Sequence, residues 1–184
     1  MIRLLWEGGQ KSRYGEHYTV ENAQIWTLPE ESPPILVSGF GPKAIRLGGR
    51  VGDGYCGVAP DAELVSLLSS GDGDKPAHAG MKVCWDEDEV RACEIAYRLW
   101  PTDALPGELG QELPTTAYYE QAVSLVTEDA VADAFVCGPD PEQPLEAIRE
   151  YVDAGYDEVY VQQIGPEQEG FFRFCEKEIL PKLR

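Results

Sequence analysis

One short stretch of this 184-residue chain has residue types and spacing suited to binding an anion. Residues 38–42, Ser-Gly-Phe-Gly-Pro, follow an apolar run and precede a helical pattern. Small side chains at such a junction let backbone amides approach a negative group at the start of the helix. The stretch matches neither the GxGxxG fingerprint nor the phosphate-binding P-loop. A tight turn from strand to helix also needs glycine, so an anion site and a purely structural turn both stay open.

The other polar candidates are explained at least as well by structural roles. Asp53 lies between two glycines and is typical of a turn that leads into a strand. His17 has no Ser, Cys or Asp at a spacing that predicts a catalytic triad, and His78 precedes a predicted strand. Residues 86–89, Asp-Glu-Asp-Glu, are suited to the positive end of a helix dipole. By themselves, the residues therefore define no catalytic or metal-binding constellation.

Short apolar runs alternate with helical patterns along the chain. The runs predict strands at residues 35–38, 54–58, 80–85 and 158–162, with a short strand or turn at 135–138. The helical patterns fall at residues 43–49, 61–70, 86–100, 115–126, 128–134, 141–154 and from 166 or 167 to 180. This alternation predicts right-handed βαβ units and a parallel sheet of about four main strands.

The remaining segments are predicted to be less regular. Residues 2–6 have the pattern of the last turns of an amphipathic helix with no N-cap before it, so the chain is expected to begin partway through an element. A loop or short hairpin is expected at residues 10–22, and an exposed strand at 23–27. An acidic turn is expected at residues 71–74, and an irregular insertion with three prolines at 101–114.

Charge and composition exclude several classes of function. The chain has 33 acidic and 15 basic residues, a formal net charge of -18, which disfavours binding to nucleic acid or to an anionic membrane. No apolar run approaches the roughly 20 residues that span a bilayer, and the first residues do not form a signal peptide. Five widely spaced cysteines indicate reduced thiols. We therefore expect a cytoplasmic protein with a single domain over residues 1–184.

Motifs that span nearly the whole chain indicate a family. They include the segments PPILVSGFGPKA at 33–44, GGRVGDGY at 48–55, LPGELGQELP at 105–114, CGPD at 137–140 and YVDAGYDEVYVQQIGP at 151–166. Together they resemble the luciferase-like monooxygenase superfamily, and within it the coenzyme F420-dependent oxidoreductases of the glucose-6-phosphate dehydrogenase family. The resemblance implies an α/β fold of the (β/α) TIM-barrel type, which has eight strands. This chain is similar to its C-terminal half, with about four parallel strands and an irregular helical insertion.

The same resemblance implies positions for a cofactor and a substrate. The turn after the fifth barrel strand would contact the phosphate-bearing tail of coenzyme F420, with FMN as the alternative cofactor. The implied cofactor-binding residues are Ser38, Gly39, Phe40, Gly41 and Lys43. The implied substrate positions are Val58 and Asp61, where the glucose-6-phosphate enzymes of the family have Thr and Lys. Because an aspartate repels a phosphate, glucose 6-phosphate is not the expected substrate.

The resemblance also bears on activity and partners. The catalytic His of the family and its acidic partner lie in the N-terminal half of the barrel, so no catalytic residue is assigned here and the enzyme status of the chain stays open. The implied function is hydride transfer between a small organic substrate and F420, incomplete in this chain. The alternative is a non-catalytic half-barrel that binds F420 or flavin. Open sheet edges predict a dimer or other homo-oligomer, or pairing with a complementary N-terminal half-barrel.

Overall fold

The N-terminal segment consists of a short helix and an antiparallel hairpin. Helix α1 spans Ile2–Trp6, and the hairpin pairs β1 (Lys11–Tyr14) with β2 (Thr19–Ala23). The expected helix end and hairpin are confirmed. The strand expected at residues 23–27 is wrong, because the pairing ends where Ala23 meets Lys11 and the chain then leaves the hairpin.

A parallel sheet forms the centre of the fold in the computed structural model, which describes residues 1–68 and 75–183. Its strands are β3 (Leu36–Val37), β4 (Gly54–Gly57), β5 (Ala77–Cys84), β6 (Val136–Cys137) and β7 (Glu158–Gln163). Every strand expected for this sheet is therefore confirmed, although β5 begins three residues before the expected start at residue 80. The expected acidic turn at 71–74 lies outside the described residues.

Helices connect these strands and follow most of the expected ranges. They are α2 (Pro42–Val51), α3 (Ala62–Leu68), α4 (Glu89–Leu99), α5 (Leu109–Glu112), α6 (Thr116–Val123), α7 (Glu128–Ala134), α8 (Glu142–Asp153) and α9 (Gln168–Phe174). The insertion contains a 3-10 turn at Pro101–Ala104 and helix α5. The end of the helix expected at 61–70 falls on residues that the structure does not describe. In the described ranges, no helix has the length and apolar character needed to cross a membrane.

Three helix boundaries differ from the expectation by three residues or more. Helix α6 ends at Val123 instead of residue 126, and the other two differences have a local reason. Helix α4 begins at Glu89 instead of residue 86, because the Asp88 side chain is the N-cap and accepts from the amides of Val90 and Arg91. The last helix does not continue unbroken to residue 180. After α9 it becomes a π-helical turn at Cys175–Ile179 and then a 3-10 turn, where Pro181 has no N–H to continue an α-helix.

Strand β5 is the centre of the sheet because both of its edges are paired. Strand β7 follows one edge over residues 78–83. The other edge is shared: β4 pairs with residues 77–79, and β6 pairs with residues 83–84. Strand β3 extends the sheet beyond β4. The sheet order is thus β3-β4-β5-β7, with the two-residue β6 on the same side of β5 as β4.

Side chains on the two faces of β5 have different environments. Ala77, Ala79, Met81 and Val83 are buried in the main core, which also contains residues of α8 and α9. Small residues at two of these positions allow bulky side chains of the helices to pack close to the sheet. A second core lies under α4 and α7 and includes Val131. The alternation of burial along β5 indicates one covered face and one more open face.

The last residue of β7 ties this strand to the end of β5 through its side chain. The buried Gln163 amide accepts from the Trp85 N–H and donates to the Trp85 carbonyl, each at 2.8 Å. These two bonds satisfy main-chain groups just past the end of the β5–β7 ladder. The side-chain amide of Gln163 therefore makes the two hydrogen bonds to Trp85 that the main chain of a neighbouring strand would otherwise make.

We expect Gln163→Leu to destabilise the fold by about 2–4 kcal/mol, because the N–H and C=O of Trp85 would stay buried without partners. Chemical denaturation measures this change in the free energy of unfolding. The matched control is Gln162→Leu, one residue earlier in β7 and exposed. Equal effects of the two substitutions would contradict the assignment of this structural role to Gln163.

Candidate functional site

The turn between β3 and α2 lies at the carboxyl end of the parallel sheet. Gly41 is the N-cap of α2, with extended φ and ψ of -139° and 160°, and no side chain caps this end of the helix. A Cβ atom at Gly41 would meet nothing within 4 Å, so there is open space before the first turn. Lys43 is the second residue of α2 and is exposed. A free helix N-terminus and an ammonium group together favour a bound anion.

Gly39 holds this turn in place by close contact. Its carbonyl oxygen accepts a hydrogen bond of 3.1 Å from the Tyr55 hydroxyl. A Cβ atom at Gly39 would lie 2.7 Å from the Cβ of Ala44, so a larger residue cannot fit without moving the helix. Ser38 and Phe40, on either side, are exposed. The geometry is therefore compatible with both interpretations from the sequence, a structural glycine at position 39 and an accessible anion site at the helix start.

A cleft of about 560 Å³ lies beside the middle of β5. On the side of β5 that β4 and β6 share, residues 80–82 have no strand partner in the described part of the chain. The cleft lies between β4 and β6, next to these three residues of β5. Its lining includes Phe40, Val58, Lys82, Asp103, Phe135 and Tyr151.

Two of the seven residues implied as cofactor or substrate contacts meet in this cleft. Phe40, from the cofactor set, and Val58, from the substrate set, both line it. The carbonyl of Val58 is held by a 3.0 Å hydrogen bond from the Tyr151 hydroxyl, which fixes the loop after β4. The residues outside the lining are Ser38, Gly39, Gly41, Lys43 and Asp61.

Asp61 has a clear structural role at the start of α3. Its Oδ1 accepts a 2.9 Å hydrogen bond from the Leu64 N–H, and its carbonyl accepts from the Val65 N–H. Both contacts are those of a helix N-cap. The carboxylate is thus engaged with the helix, and its charge opposes an anionic substrate near the end of β4.

Lys82 was not singled out from the sequence, although it lines the cleft. Its ammonium group forms an ion pair with Asp103 and lies 4.2 Å from the centroid of the Trp100 ring. The ion pair joins β5 to the insertion across 21 residues of sequence. The alternation of β5 could have placed Lys82 on the face opposite the core, but no local pattern links it to Asp103.

A second polar group lies on the open face of the sheet, which we define by residues 56, 78, 80, 82, 158, 160 and 162. The Tyr160 hydroxyl donates a 2.7 Å hydrogen bond to the Glu158 carboxylate, which raises the pKa of Tyr160. His78 Nδ1 lies 3.8 Å from the same carboxylate, and its ring is 5.9 Å from that of Tyr160. The described residues contain no group of three or more His, Cys, Asp or Glu arranged to hold a metal ion.

A buried acidic residue, Asp86, lies two residues after the end of β5. Asp86 is fully buried, and one of its oxygens lies 2.7 Å from the guanidinium of Arg91. Burial opposes ionisation, but hydrogen bonds from Arg91 and from the backbone N–H of Asp88 outweigh it, so the pKa of Asp86 is lowered. Asp53 also has a structural role, because the Ile35 N–H and Arg3 both donate to it and lower its pKa. Neither carboxylate lines the cleft.

A parallel sheet whose strands are joined by helices, with a ligand-sized cleft beside it, defines an α/β protein. The family model described as luciferase-like monooxygenase matches residues 1–158, so the chain belongs to this family. Among solved structures, it resembles an F420-dependent secondary alcohol dehydrogenase in complex with an F420–acetone adduct, with a TM-score of 0.78 and 22% identity. It also resembles the coenzyme F420-dependent tetrahydromethanopterin reductase from Methanopyrus kandleri, with a TM-score of 0.69 and 19% identity.

Two relatives at the sequence level have the same description. The F420-dependent glucose-6-phosphate dehydrogenases of Microbacterium testaceum and Beutenbergia cavernae are 31% and 30% identical to the chain. Each match covers 100% of this chain and 58% of the relative. The two solved structures are likewise covered over 59% and 61% of their lengths. The chain thus spans little more than half the length of the relatives, and the barrel-type fold expected from the sequence is confirmed for that portion.

We expect Asp86→Asn to lower the melting temperature at pH 6 by about 2–4 °C for each kcal/mol of stability lost, because the ionised form carries the hydrogen bond to Arg91. A lowered pKa in the folded state stabilises the protein above the ordinary pKa of about 3.9, and this stabilisation is lost as the pH falls through the lowered value. Thermal unfolding between pH 6 and pH 2.5 should therefore show the two proteins converging in acid. The control is Glu87→Gln, an exposed neighbour with the same change in charge. A difference that does not vary with pH would contradict this account.

Proposed function

We propose that the chain forms the coenzyme-tail and substrate-facing portion of an F420-dependent oxidoreductase. The observation that carries this proposal is full coverage of the chain by relatives named as F420-dependent dehydrogenases, at up to 31% identity. The bound deazaflavin supplies the acceptor or donor of a hydride, and the protein positions it against a small organic substrate. The reaction class would then be hydride transfer.

The turn between β3 and α2 is the proposed contact for the phosphate-bearing tail of F420. The support is physical: the helix start is uncapped, the space before Gly41 is empty, and Lys43 adds a positive charge. Ser38, Gly39 and Phe40 complete the turn and offer mainly backbone groups. FMN has a phosphate as well, so it is the alternative ligand for the same turn.

The proposed substrate is a small, uncharged organic molecule. The cleft has apolar residues such as Val58 and Phe135 in its lining, and the ammonium of Lys82 is already neutralised by Asp103. The Asp61 carboxylate caps α3 after β4 and would repel a phosphate. These features disfavour glucose 6-phosphate, although the relatives are named for it.

We further propose that residues 1–184 act as one domain and that activity requires additional barrel elements. A second copy of the chain, as in a dimer, or a complementary N-terminal half-barrel could supply them. The support is the sheet itself, in which the outer edges of β3 and β7 have no strand partner among the described residues. The free thiols support a reducing, cytoplasmic location.

Titration of the 184-residue chain with F420 and with FMN, followed by fluorescence, tests the cofactor proposal. We expect saturable binding of F420 that is stronger than that of FMN. Absorbance of F420 in the presence of small alcohols then tests hydride transfer. Turnover that appears when a complementary N-terminal half-barrel is added would support the oxidoreductase proposal. Binding without turnover even then would favour the alternative, a non-catalytic half-barrel that binds the coenzyme, and an absence of F420 binding would contradict both.

We expect Gly41→Asp to weaken F420 binding at least tenfold relative to Gly41→Asn, about 1.4 kcal/mol or more. Both side chains fit the open space and cap α2, but only aspartate places a negative charge in front of the helix. Fluorescence titration gives the two affinities, and circular dichroism checks that both variants fold. Equal affinities would mean that the coenzyme tail lies elsewhere.

We expect Asp103→Asn to increase the affinity of the chain for glucose 6-phosphate by about tenfold, because it frees the Lys82 ammonium beside the cleft. Isothermal titration calorimetry measures this change. Glu108→Gln is the matched control, since it removes an exposed acid from the same insertion. If both variants bind the sugar phosphate as the unmodified chain does, neutralisation of Lys82 does not set the charge preference.

A further inference from the structure

Three of the five thiols lie together where β5, β6 and α4 meet. Cys84 and Cys137 are direct partners in the register of the parallel strands β5 and β6. Cys93, in α4, packs against the core that contains both of these residues. Burial, together with the nearby Cys93 thiol, raises the pKa of Cys137. Residues 93 and 137 are 44 positions apart in the chain.

The three thiols differ in their access to solvent. Cys84 and Cys137 are buried, with exposed fractions of 0% and 5%, whereas Cys93 is half-buried. Burial raises the pKa of Cys84 to about 11 and raises that of Cys137 as well, so both resist ionisation. A reagent from solvent therefore reaches Cys93 first. Cys137 belongs to the buried core against which Cys93 packs.

We propose that Cys93 and Cys137 form a modification site, in which a hydroperoxide converts the pair into a reversible disulfide. The Cys93 thiolate attacks one peroxide oxygen, so that an S–O bond forms, the O–O bond breaks and hydroxide leaves. The Cys137 sulfur then attacks the resulting sulfenic acid, forming the S–S bond, and the departing hydroxide takes the Cys137 proton as water. Overall, two thiols and hydrogen peroxide give one disulfide and two waters, with the sulfurs oxidised and the peroxide reduced.

The position of this pair gives the modification a structural consequence. The new bond would link α4 to β6, and β6 leads directly to Gly138, whose N–H donates to the Cys84 carbonyl. Helix α4 also supplies Arg91, the partner of the buried Asp86. Oxidation would thus tie together two elements at the carboxyl end of the sheet. This inference does not rest on the proposed oxidoreductase function.

Peptide mapping of the full chain tests the proposal, because trypsin separates the three thiols. Cleavage after Lys82, Arg91, Arg98 and Arg149 gives peptides 83–91 with Cys84, 92–98 with Cys93 and 99–149 with Cys137. After treatment with hydrogen peroxide and blocking of free thiols, we expect a cross-link between peptides 92–98 and 99–149 that a reductant removes. Peptides that stay separate, or a cross-link that uses only other cysteines, would overturn the proposal.

Variants distinguish the two steps of the reaction. Cys93→Ser should lose the cross-link completely, whereas Cys137→Ala should leave a sulfenic acid on Cys93 that dimedone captures. Cys175→Ser is the control, because this thiol is packed in the main core and should not affect the cross-link. Loss of the cross-link in Cys175→Ser would overturn the assignment. If Cys137→Ala does not fold, the peptide map of the unmodified chain still decides the question.

Discussion

The pairing of β5 along both edges is the constraint on which the rest of the structure depends. Residues 78–83 pair with β7 on one side, and residues 77–79 and 83–84 pair with β4 and β6 on the other. A strand in this position buries one row of side chains under helices. Two of the side chains in that row, Ala77 and Ala79, are small. The helices α8 and α9 can therefore pack close to the sheet, and the main core forms around them.

The pairing of β5 also explains why the residues of the candidate site lie close together. Parallel strands direct their carboxyl ends to one edge of the sheet, so the turn at Gly41 and the loop at Val58 lie on the same side of the molecule. Between β4 and β6, the unpaired stretch of β5 leaves room for the cleft, and Lys82 joins that stretch to Asp103 in the insertion. The thiols of Cys84 and Cys137 come together because β6 pairs with the last residues of β5.

Much of the fold followed from the pattern of residues, whereas the site followed only in part. Each strand of the parallel sheet was expected close to its observed place, because short apolar runs between helical patterns indicate strands of a parallel sheet. The strand expected at 23–27 was wrong because alternation alone cannot supply a pairing partner. The resemblance implied that Phe40 contacts the cofactor and Val58 the substrate. The structure places both residues in the lining of the same cleft. His78 was placed before a strand, but β5 begins at Ala77, since pairing with β4 and β7 extends it.

The sequence by itself determined the alternation of strands and helices, the family and the glycines that shape the turn after β3. These depend on local periodicity and on residues close together in the chain, which a single sequence records directly. Only the tertiary structure decided that Asp61 caps α3, that Asp103 neutralises Lys82 and that Cys93 packs against the core that contains Cys137. The ion pair and this packing join residues that are distant in the chain, while the choice of Asp61 between helix cap and ligand depends on geometry. The chemistry of these side chains allows each of them more than one partner. The partner is selected by how α4 and the insertion pack on the sheet.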